Sequence, residues 1–257
     1  MGNFLEGKVV AITGAGNGIG RAIALAVAAE GGKVVVADYG VGMAGEDPSS
    51  AVADAVVAEI NAGGGEAIAV ADDVSTMEGG SHVVNAAVEK WGRIDGVVCV
   101  AGILRERMLF NMSEDEWDAV IAVHLKGHFT LFRNAAAVMR KQESGGALIG
   151  FTSGAFAGSV AQANYSAAKG GVIGMTLTAA RDLGPAGIRV MTIAPGTFHT
   201  YAYGDVPIED LNERFAKLIP NPKRMGRADE YAQLALQICE NDFLNGYTIR
   251  LDGAQRF

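Results

Sequence analysis

Cysteine is scarce: Cys99 lies in an apolar run and Cys239 in a helical pattern, the only two in 257 residues. Neither stands at metal-ligand spacing from other ligand types, so the reading is two buried thiols and no metal. Positive charge is also short, with 21 Lys and Arg against 29 Asp and Glu and a net charge of −8. That balance argues against a general nucleic-acid or anionic-membrane binder, and an anionic ligand would need local basic residues. The opening MGNFLEGK has no basic start followed by an apolar run, and Glu6 stands where a myristoylation signal wants Ser or Thr. No uninterrupted apolar stretch is long enough to span a bilayer. The expectation is a soluble, cytoplasmic protein that takes a small-molecule substrate and has neither nucleic acid nor membrane as partner.

With 49% hydrophobic and 19% charged residues, the chain can bury a large core. It needs no second domain, so residues 1–257 are read as one α/β domain. Short apolar runs at 9–12, 34–37, 67–71, 97–101, 147–151, 190–194 and 247–251 predict strands. Between most of them lie amphipathic stretches that predict helices at 19–29, 50–62, 77–91, 114–125, 129–141, 164–183 and 228–240. Alternating strand and helix predict a doubly wound (Rossmann) domain, a central parallel sheet with helices on both faces. Two segments exceed a minimal version: a polar loop at 40–49, and an insertion at 197–223 rich in Phe, Tyr and Leu. Ligands in such sheets bind beyond the C-terminal strand ends, so both loops belong to the working edge, the second as a substrate lid.

The stretch VVAITGAGNGIG, residues 9–20, reads as a buried strand, a glycine turn and a helix start. Glycine permits a tight turn and a close backbone approach to a pyrophosphate, which the helix N-terminus attracts. The spacing is T-G-x-x-x-G-I-G, carried by Thr13, Gly14, Gly18, Ile19 and Gly20. Asp38 follows the second strand, about 20 residues past the turn, where a carboxylate accepts the adenine-ribose hydroxyls and repels a 2′-phosphate. Asn17 adds no cation to the turn, so the cofactor predicted is NAD. After the third strand, Asp73 is placed to bond the adenine amino group and Val74 to pack near the ring.

Tyr165 and Lys169 stand four residues apart at the start of a long helical pattern, hence on one helix face. A phenol with pKa near 10 is a poor base at neutral pH, and lowering it three units takes roughly 4 kcal/mol. A close ammonium and a positive nicotinamide ring would supply that. Thr152 and Ser153 close the fifth strand, and either hydroxyl would emerge at the same edge to bond the reacting oxygen.

Together these residues resemble the short-chain dehydrogenase/reductase family, over the whole chain. The resemblance implies Tyr165 as general acid/base, Ser153 as binder of the carbonyl or alcohol, and Lys169 as ribose ligand and depressor of the tyrosine pKa. It implies Pro195 and Gly196 as the turn after the sixth strand and Thr200 as the threonine that bonds the nicotinamide amide. Ala101 and Gly102 are implied as cofactor contacts within Cys99-Val100-Ala101-Gly102, where the family usually has Asn-Asn-Ala-Gly. That departure removes side-chain bonds that help hold the strands. The family's serine usually lies thirteen residues before the tyrosine, a place held by Thr152, so Ser153 implies a one-residue deletion in the next loop. His124 stands where the family has a relay asparagine; it is read either as a proton carrier, since its unperturbed pKa lies near 6.5, or as a packed histidine. The stretch GILRERMLFNMSEDEWDAVIAVHLKG and the tail DFLNGYTIRLDG are similar to NAD-dependent 3-hydroxyacyl-CoA dehydrogenases. The activity implied is hydride transfer between NAD and a 3-hydroxyacyl-CoA. Rival readings are a hydroxysteroid or other apolar alcohol as substrate and, remotely, a non-catalytic NAD(H)-binding regulator.

The family is commonly tetrameric, so a homotetramer is expected, paired through helices 129–141 and 164–183. The lid brings Phe198, Tyr201, Tyr203, Leu211, Phe215, Leu218 and Ile219 to enclose an apolar chain or ring system. It also brings Arg214, Lys217, Lys223 and Arg224, and Arg105 and Arg107 lie in another loop at that edge. These cations either meet coenzyme A phosphates or are ordinary solvated loop charges.

Overall fold

Strands that are apolar on every residue must be covered on both faces, and β1 (Val9–Thr13) is buried along its whole length. The computed structural model describes residues 3–42, 48–200, 203–204 and 206–255. In chain order β1 is followed by α1 (Gly18–Ala29), β2 (Lys33–Ala37), α2 (Ala51–Ala62), β3 (Glu66–Val70), α3 (Met77–Trp91) and β4 (Gly96–Cys99). Then come α4 (Glu114–Ile121), α5 (Gly127–Met139), β5 (Gly146–Phe151), α6 (Ala163–Leu183), β6 (Ile188–Pro195), α7 (Ile208–Phe215), α8 (Ala228–Glu240) and β7 (Thr248–Leu251). The sheet is seven-stranded in the order β3-β2-β1-β4-β5-β6-β7, and every pairing between neighbouring strands is parallel among the described residues.

Period-two alternation divides the strand residues between two cores. Val10, Ile12, Val34, Val36, Val98 and Ile149 pack with α1, α2 and α8 on one face. Val9, Ala11, Val35, Val97 and Leu148 pack with α3, α5 and the far end of α6 on the other. This is the expected doubly wound arrangement. The order reverses at β1, with β2 on one side and β4 on the other, so a crevice opens beyond the C-terminal ends of these strands. No helix among the described residues is long and apolar enough to cross a membrane. Cys99 is buried; Cys239 is half-buried, and burial pushes its thiol up to about 11.

Two local features differ from the sequence expectation. The helices predicted at 114–125 and 129–141 are one rod, because α4 passes through a π-turn, Ala122–Lys126, straight into α5. Gly127 is the only helix breaker there, and it keeps right-handed helical angles. The extra residue of the π-turn leaves His124 buried. Within the lid, α7 forms over Ile208–Phe215 after Pro207, with Glu209 and Asp210 in its first turn and Leu211 as its buried residue. Tyr201 and residues 43–47 of the loop at 40–49 lie outside the described residues.

Tyr231 of α8 is fully buried between the rings of Phe151, at 5.5 Å, and Phe198, at 6.1 Å, and its hydroxyl has no hydrogen-bond partner. A buried unpaired hydroxyl costs about 1–3 kcal/mol. Tyr231→Phe is therefore expected to hold or raise the thermal midpoint, and a clear fall in the melting temperature would contradict this packing.

Candidate active site

The turn after β1 is built on close backbone approach. Gly14 has φ +63°, and a Cβ there would come within 2.8 Å of the Ala101 backbone nitrogen. Gly20 sits in the first turn of α1, where a Cβ would run into the Gly14 carbonyl. Only glycine lets the turn lie this flat on the end of β4. Asn17 caps α1 without spending its side chain on the first-turn N–H groups, so the helix start keeps donors for an anion. Asp38 closes the turn from β2: its Oδ2 accepts from the Gly16 N–H at 2.8 Å and its Oδ1 from the Gly40 N–H at 2.8 Å. Each carboxylate oxygen keeps a second lone pair for another donor.

A cavity of about 530 Å³ runs from this turn along the C-terminal strand edge. Among its lining residues are Gly14, Asn17, Gly18, Ile19 and Asp38, Asp73 and Val74, and Ala101, Gly102, His124, Tyr165 and Thr200. Most of the residues expected to hold a dinucleotide therefore share one continuous wall. Their chemistry fits one: open helix-start donors for a pyrophosphate, a carboxylate for ribose hydroxyls, and apolar Ile19 and Val74 beside them. Asp73 is partly spent locally, its Oδ1 accepting from the Ser75 N–H at 2.9 Å. Gly20, Ser153, Lys169, Pro195 and Gly196 are not among the lining residues. Gly196 donates its N–H to the Leu251 carbonyl at 3.0 Å, which fixes the turn after β6.

Lys169 is fully buried, and its Nζ donates to the Phe151 carbonyl at 2.7 Å, 5.4 Å from the centroid of the Tyr165 ring. Burial pushes the ammonium down to about 7. Tyr165 lines the cavity, and in the protein alone burial pushes its phenol up to about 12, against a hydrogen bond with Ser153 that lowers it. This direction is opposite to the depression expected from the Tyr165–Lys169 spacing. The lysine is itself desolvated, and the expected depression included a nicotinamide charge that the protein does not supply. Of the two candidate hydroxyls, Thr152 is buried and donates to the Lys169 backbone carbonyl at 2.8 Å. Ser153 is only partly buried; its Oγ accepts from the Ala155 N–H at 3.2 Å and bonds Tyr165.

His124 packs edge-on to Tyr165, ring centroids 4.9 Å apart, and presses so closely on Gly102 that a Cβ there would run into the imidazole. Its Nε2 meets the Ile103 backbone, 2.8 Å from the carbonyl and 3.1 Å from the nitrogen, while Nδ1 is buried without a partner. Burial, with the Lys169 charge beside it, holds its pKa well below the ordinary value, so the ring is neutral at pH 7.

The strand-end bonds expected to be missing at Cys99-Val100-Ala101-Gly102 are supplied from β1. The Thr13 hydroxyl accepts from the Val100 N–H at 3.1 Å and the Ala101 N–H at 3.3 Å. Sequence reasoning placed Thr13 in the motif without this role, and missed Phe151, whose carbonyl faces the lysine. A buried lysine needs an acceptor, and the strand end just before Thr152 was the place to look for one. The C-terminal tail was also missed: Gln255 accepts from the Thr197 N–H at 2.9 Å and donates to the Thr197 hydroxyl at 3.0 Å, clamping the start of the lid.

Within the lid, Phe198, Leu211 and Ile219 are buried in the protein's own packing, Tyr203 and Phe215 meet edge-on at 5.7 Å, and Leu218 stays exposed. Two of the six cations are already paired: Arg107 with Glu116 at 2.8 Å, and Arg224 with Glu230 at 2.6 Å. Lys217 and Lys223 are exposed and have no carboxylate partner among the described residues.

A glycine turn on a reversing parallel sheet, leading to a tyrosine backed by a buried lysine, defines a dinucleotide-dependent oxidoreductase. A family model described as enoyl-(acyl carrier protein) reductase matches residues 14–254. The chain belongs to the short-chain dehydrogenase/reductase family, as the resemblance in its motifs implied, and is an oxidoreductase that uses a nicotinamide cofactor. It is 46% identical to the hydroxyacyl-CoA dehydrogenase ChsB1 of Mycobacterium tuberculosis, over 74% of this chain and 61% of that one. It is 41% identical to a 3-oxoacyl-[acyl-carrier-protein] reductase of Synechocystis, over 97% of both chains. It is 39% identical to the 3-hydroxyacyl-CoA dehydrogenase type-2 of Bos taurus, over 98% of this chain and 96% of that one. A crystal structure of a short-chain dehydrogenase from Mycobacterium avium superposes with a TM-score of 0.80 at 40% identity, covering 98% of this chain and 84% of that one.

The two hydroxyls make opposite predictions. Thr152→Val removes a buried donor to the Lys169 carbonyl and is expected to cost about 1–3 kcal/mol of stability in a denaturant titration. Ser153→Ala removes only the partly exposed cap bond to the Ala155 N–H and is expected to cost less stability than Thr152→Val while lowering kcat at least tenfold. A larger rate loss in Thr152→Val, per folded molecule, would contradict the placement.

Proposed function

We propose that this enzyme is an NAD-dependent 3-hydroxyacyl-CoA dehydrogenase. The observation that carries the reading is a single cavity whose wall includes both Asp38, at the cofactor's ribose end, and Tyr165, at the reacting end. The names of the relatives support the acyl thioester class, and Asp38 supports NAD, since a carboxylate there repels a 2′-phosphate.

NAD bound along this wall supplies the hydride acceptor. Tyr165 then takes the hydroxyl proton of the substrate, and Ser153 holds the same oxygen and stabilises the phenolate by its hydrogen bond. Lys169 keeps two N–H donors beyond the one given to Phe151, which suits ribose hydroxyls, and its charge favours the ionised phenol. Gly14, Asn17, Gly18, Ile19 and Gly20 seat the pyrophosphate, Asp73 and Val74 the adenine, and Ala101, Gly102, Pro195, Gly196 and Thr200 the nicotinamide end. Of the two readings of His124, its burial, its neutral imidazole and its edge-on packing against Tyr165 support the packed histidine. Lys217 and Lys223 meet the coenzyme A phosphates, with residues 197–223 as lid. The same reading has the enzyme work in the cytoplasm as a homotetramer, from residues 1–257 as one domain.

The test is a steady-state panel of short 3-hydroxyacyl-CoA esters, matching thioesters without the nucleotide, and hydroxysteroids, each with NAD and NADP. Expected are at least about a tenfold preference for NAD, or roughly 1.4 kcal/mol, and an advantage of the CoA esters over the truncated thioesters. That advantage shrinks as salt rises, because exposed charges are screened over about 10 Å at 0.1 M. Uncharged steroids outperforming every CoA ester, with no effect of salt, would overturn the substrate; equal efficiency with NADP would overturn the cofactor.

A further inference from the structure

His128 is buried near the start of α5, one helical turn past His124, and the mechanism above gives it no task. Its Nε2 accepts a hydrogen bond from the Phe151 backbone N–H at 3.0 Å. Phe151 ends β5, and it is the Phe151 carbonyl that accepts from Lys169 Nζ at 2.7 Å. We infer that His128 is a positioning residue for Lys169: it fixes the backbone of Phe151, and through the Phe151 carbonyl it fixes the ammonium behind Tyr165.

The ladder explains why a side chain is needed here. Alternate residues of a parallel strand turn their N–H and C=O toward opposite neighbours. Thr152 donates its N–H to the Ile193 carbonyl on β6 at 2.9 Å, so the N–H and C=O of Phe151 face the β4 side. There the ladder has already ended, the last paired residues being Val98 and Ile149. Both backbone groups of Phe151 would be buried without partners, and the imidazole takes one while the ammonium takes the other. The contact extends to the ring, since Lys169 Nζ lies 4.7 Å from the centroid of Phe151.

The geometry fixes the tautomer. With Nε2 as acceptor the proton must sit on Nδ1, and the ring's remaining bond, which favours a proton there, is made with the His124 backbone. Burial, followed by the Lys169 charge, pushes the His128 pKa down to about 3, so the ring stays a neutral acceptor across the working range. The ring is held edge-on by Phe132 at 6.0 Å, and a side chain at Gly150 would already be in contact with Cδ2, at 3.5 Å.

The titratable groups around this lysine are Cys99 from β4, His124 and His128 from the helical rod, and Tyr165 on its own helix, with Tyr231 of α8 on the far side of Phe151. Burial keeps both thiol and phenols protonated and both imidazoles neutral at pH 7. A change in the rate profile on altering His128 therefore reports on Lys169 and Tyr165.

The experiment uses the full chain, with whichever secondary alcohol the wild-type enzyme turns over. It rests on the Tyr165–Lys169 reading and not on coenzyme A, so failure of the acyl-CoA substrate leaves it intact. His128→Leu removes the acceptor; His128→Gln replaces it, because Oε1 lies the same number of bonds from the backbone as Nε2. In His128→Leu, kcat per folded molecule should fall at least about tenfold with substrate KM within about threefold, and the pH–rate profile should move. In His128→Gln most of the rate and the wild-type profile should return. A leucine variant that melts lower yet keeps kcat and profile would overturn the inference, as would a glutamine variant that is no better than leucine. Should the leucine variant not fold, ¹⁵N NMR of the wild-type imidazole decides: a bare Nε2 with Nδ1–H between about pH 5 and 9 is expected, and the Nε2–H tautomer overturns the assignment.

Discussion

A lysine with no contact to water is the constraint on which this active site depends. Moving an ammonium out of water costs several kcal/mol unless close acceptors meet it. The Phe151 carbonyl does so at 2.7 Å, and the backbone carbonyl of the same lysine takes the Thr152 hydroxyl at 2.8 Å. Two consecutive residues at the end of β5 thus grip one residue of α6. The tyrosine one helical turn before Lys169 cannot shift along the strand edge without breaking both bonds. Burial also brings the ammonium down to about 7, which makes its charge responsive near neutral pH.

The other half of the site follows from the sheet. Parallel pairing puts every strand's C-terminal end on one edge, and reversal of the order at β1 opens a crevice there. What keeps the crevice in register is backbone contact rather than side-chain bulk: Gly14 lies against Ala101, and Thr13 holds the Val100 and Ala101 amides. Asp38 then ties the turn to the loop after β2. The cavity wall and the Tyr165–Lys169 pair are therefore braced by the same strand ends, β1, β4 and β5.

Strands and most helices were legible because their apolar runs and periods are uninterrupted; α3 and α8 have the predicted bounds. The π-turn was not legible, because a single added residue leaves the hydrophobic period almost unchanged. The helix in the lid carried readable signals, Pro207 followed by acidic residues, but aromatic content drew attention to it as an apolar cover. Asp38, Tyr165 and the glycines were proposed from their spacings taken in combination, since neither the glycine turn nor the Tyr165–Lys169 interval is specific by itself. The choice between Thr152 and Ser153 could not, since adjacent hydroxyls at a strand end point to opposite sides and only the position of α6 tells them apart. His128 escaped for a related reason: an imidazole in a helix pattern looks like packing until the backbone group it meets is known.

The central claim is that Tyr165, backed by Lys169, carries the proton while the rest of the wall holds the cofactor. The most direct measurement is Tyr165→Phe, comparing NADH affinity by fluorescence titration with turnover of the best alcohol found. The account predicts NADH binding within about threefold of wild type and loss of more than about nine-tenths of kcat, since the change deletes the proton carrier alone. Retention of most of the rate, or loss of binding in step with it, would contradict it.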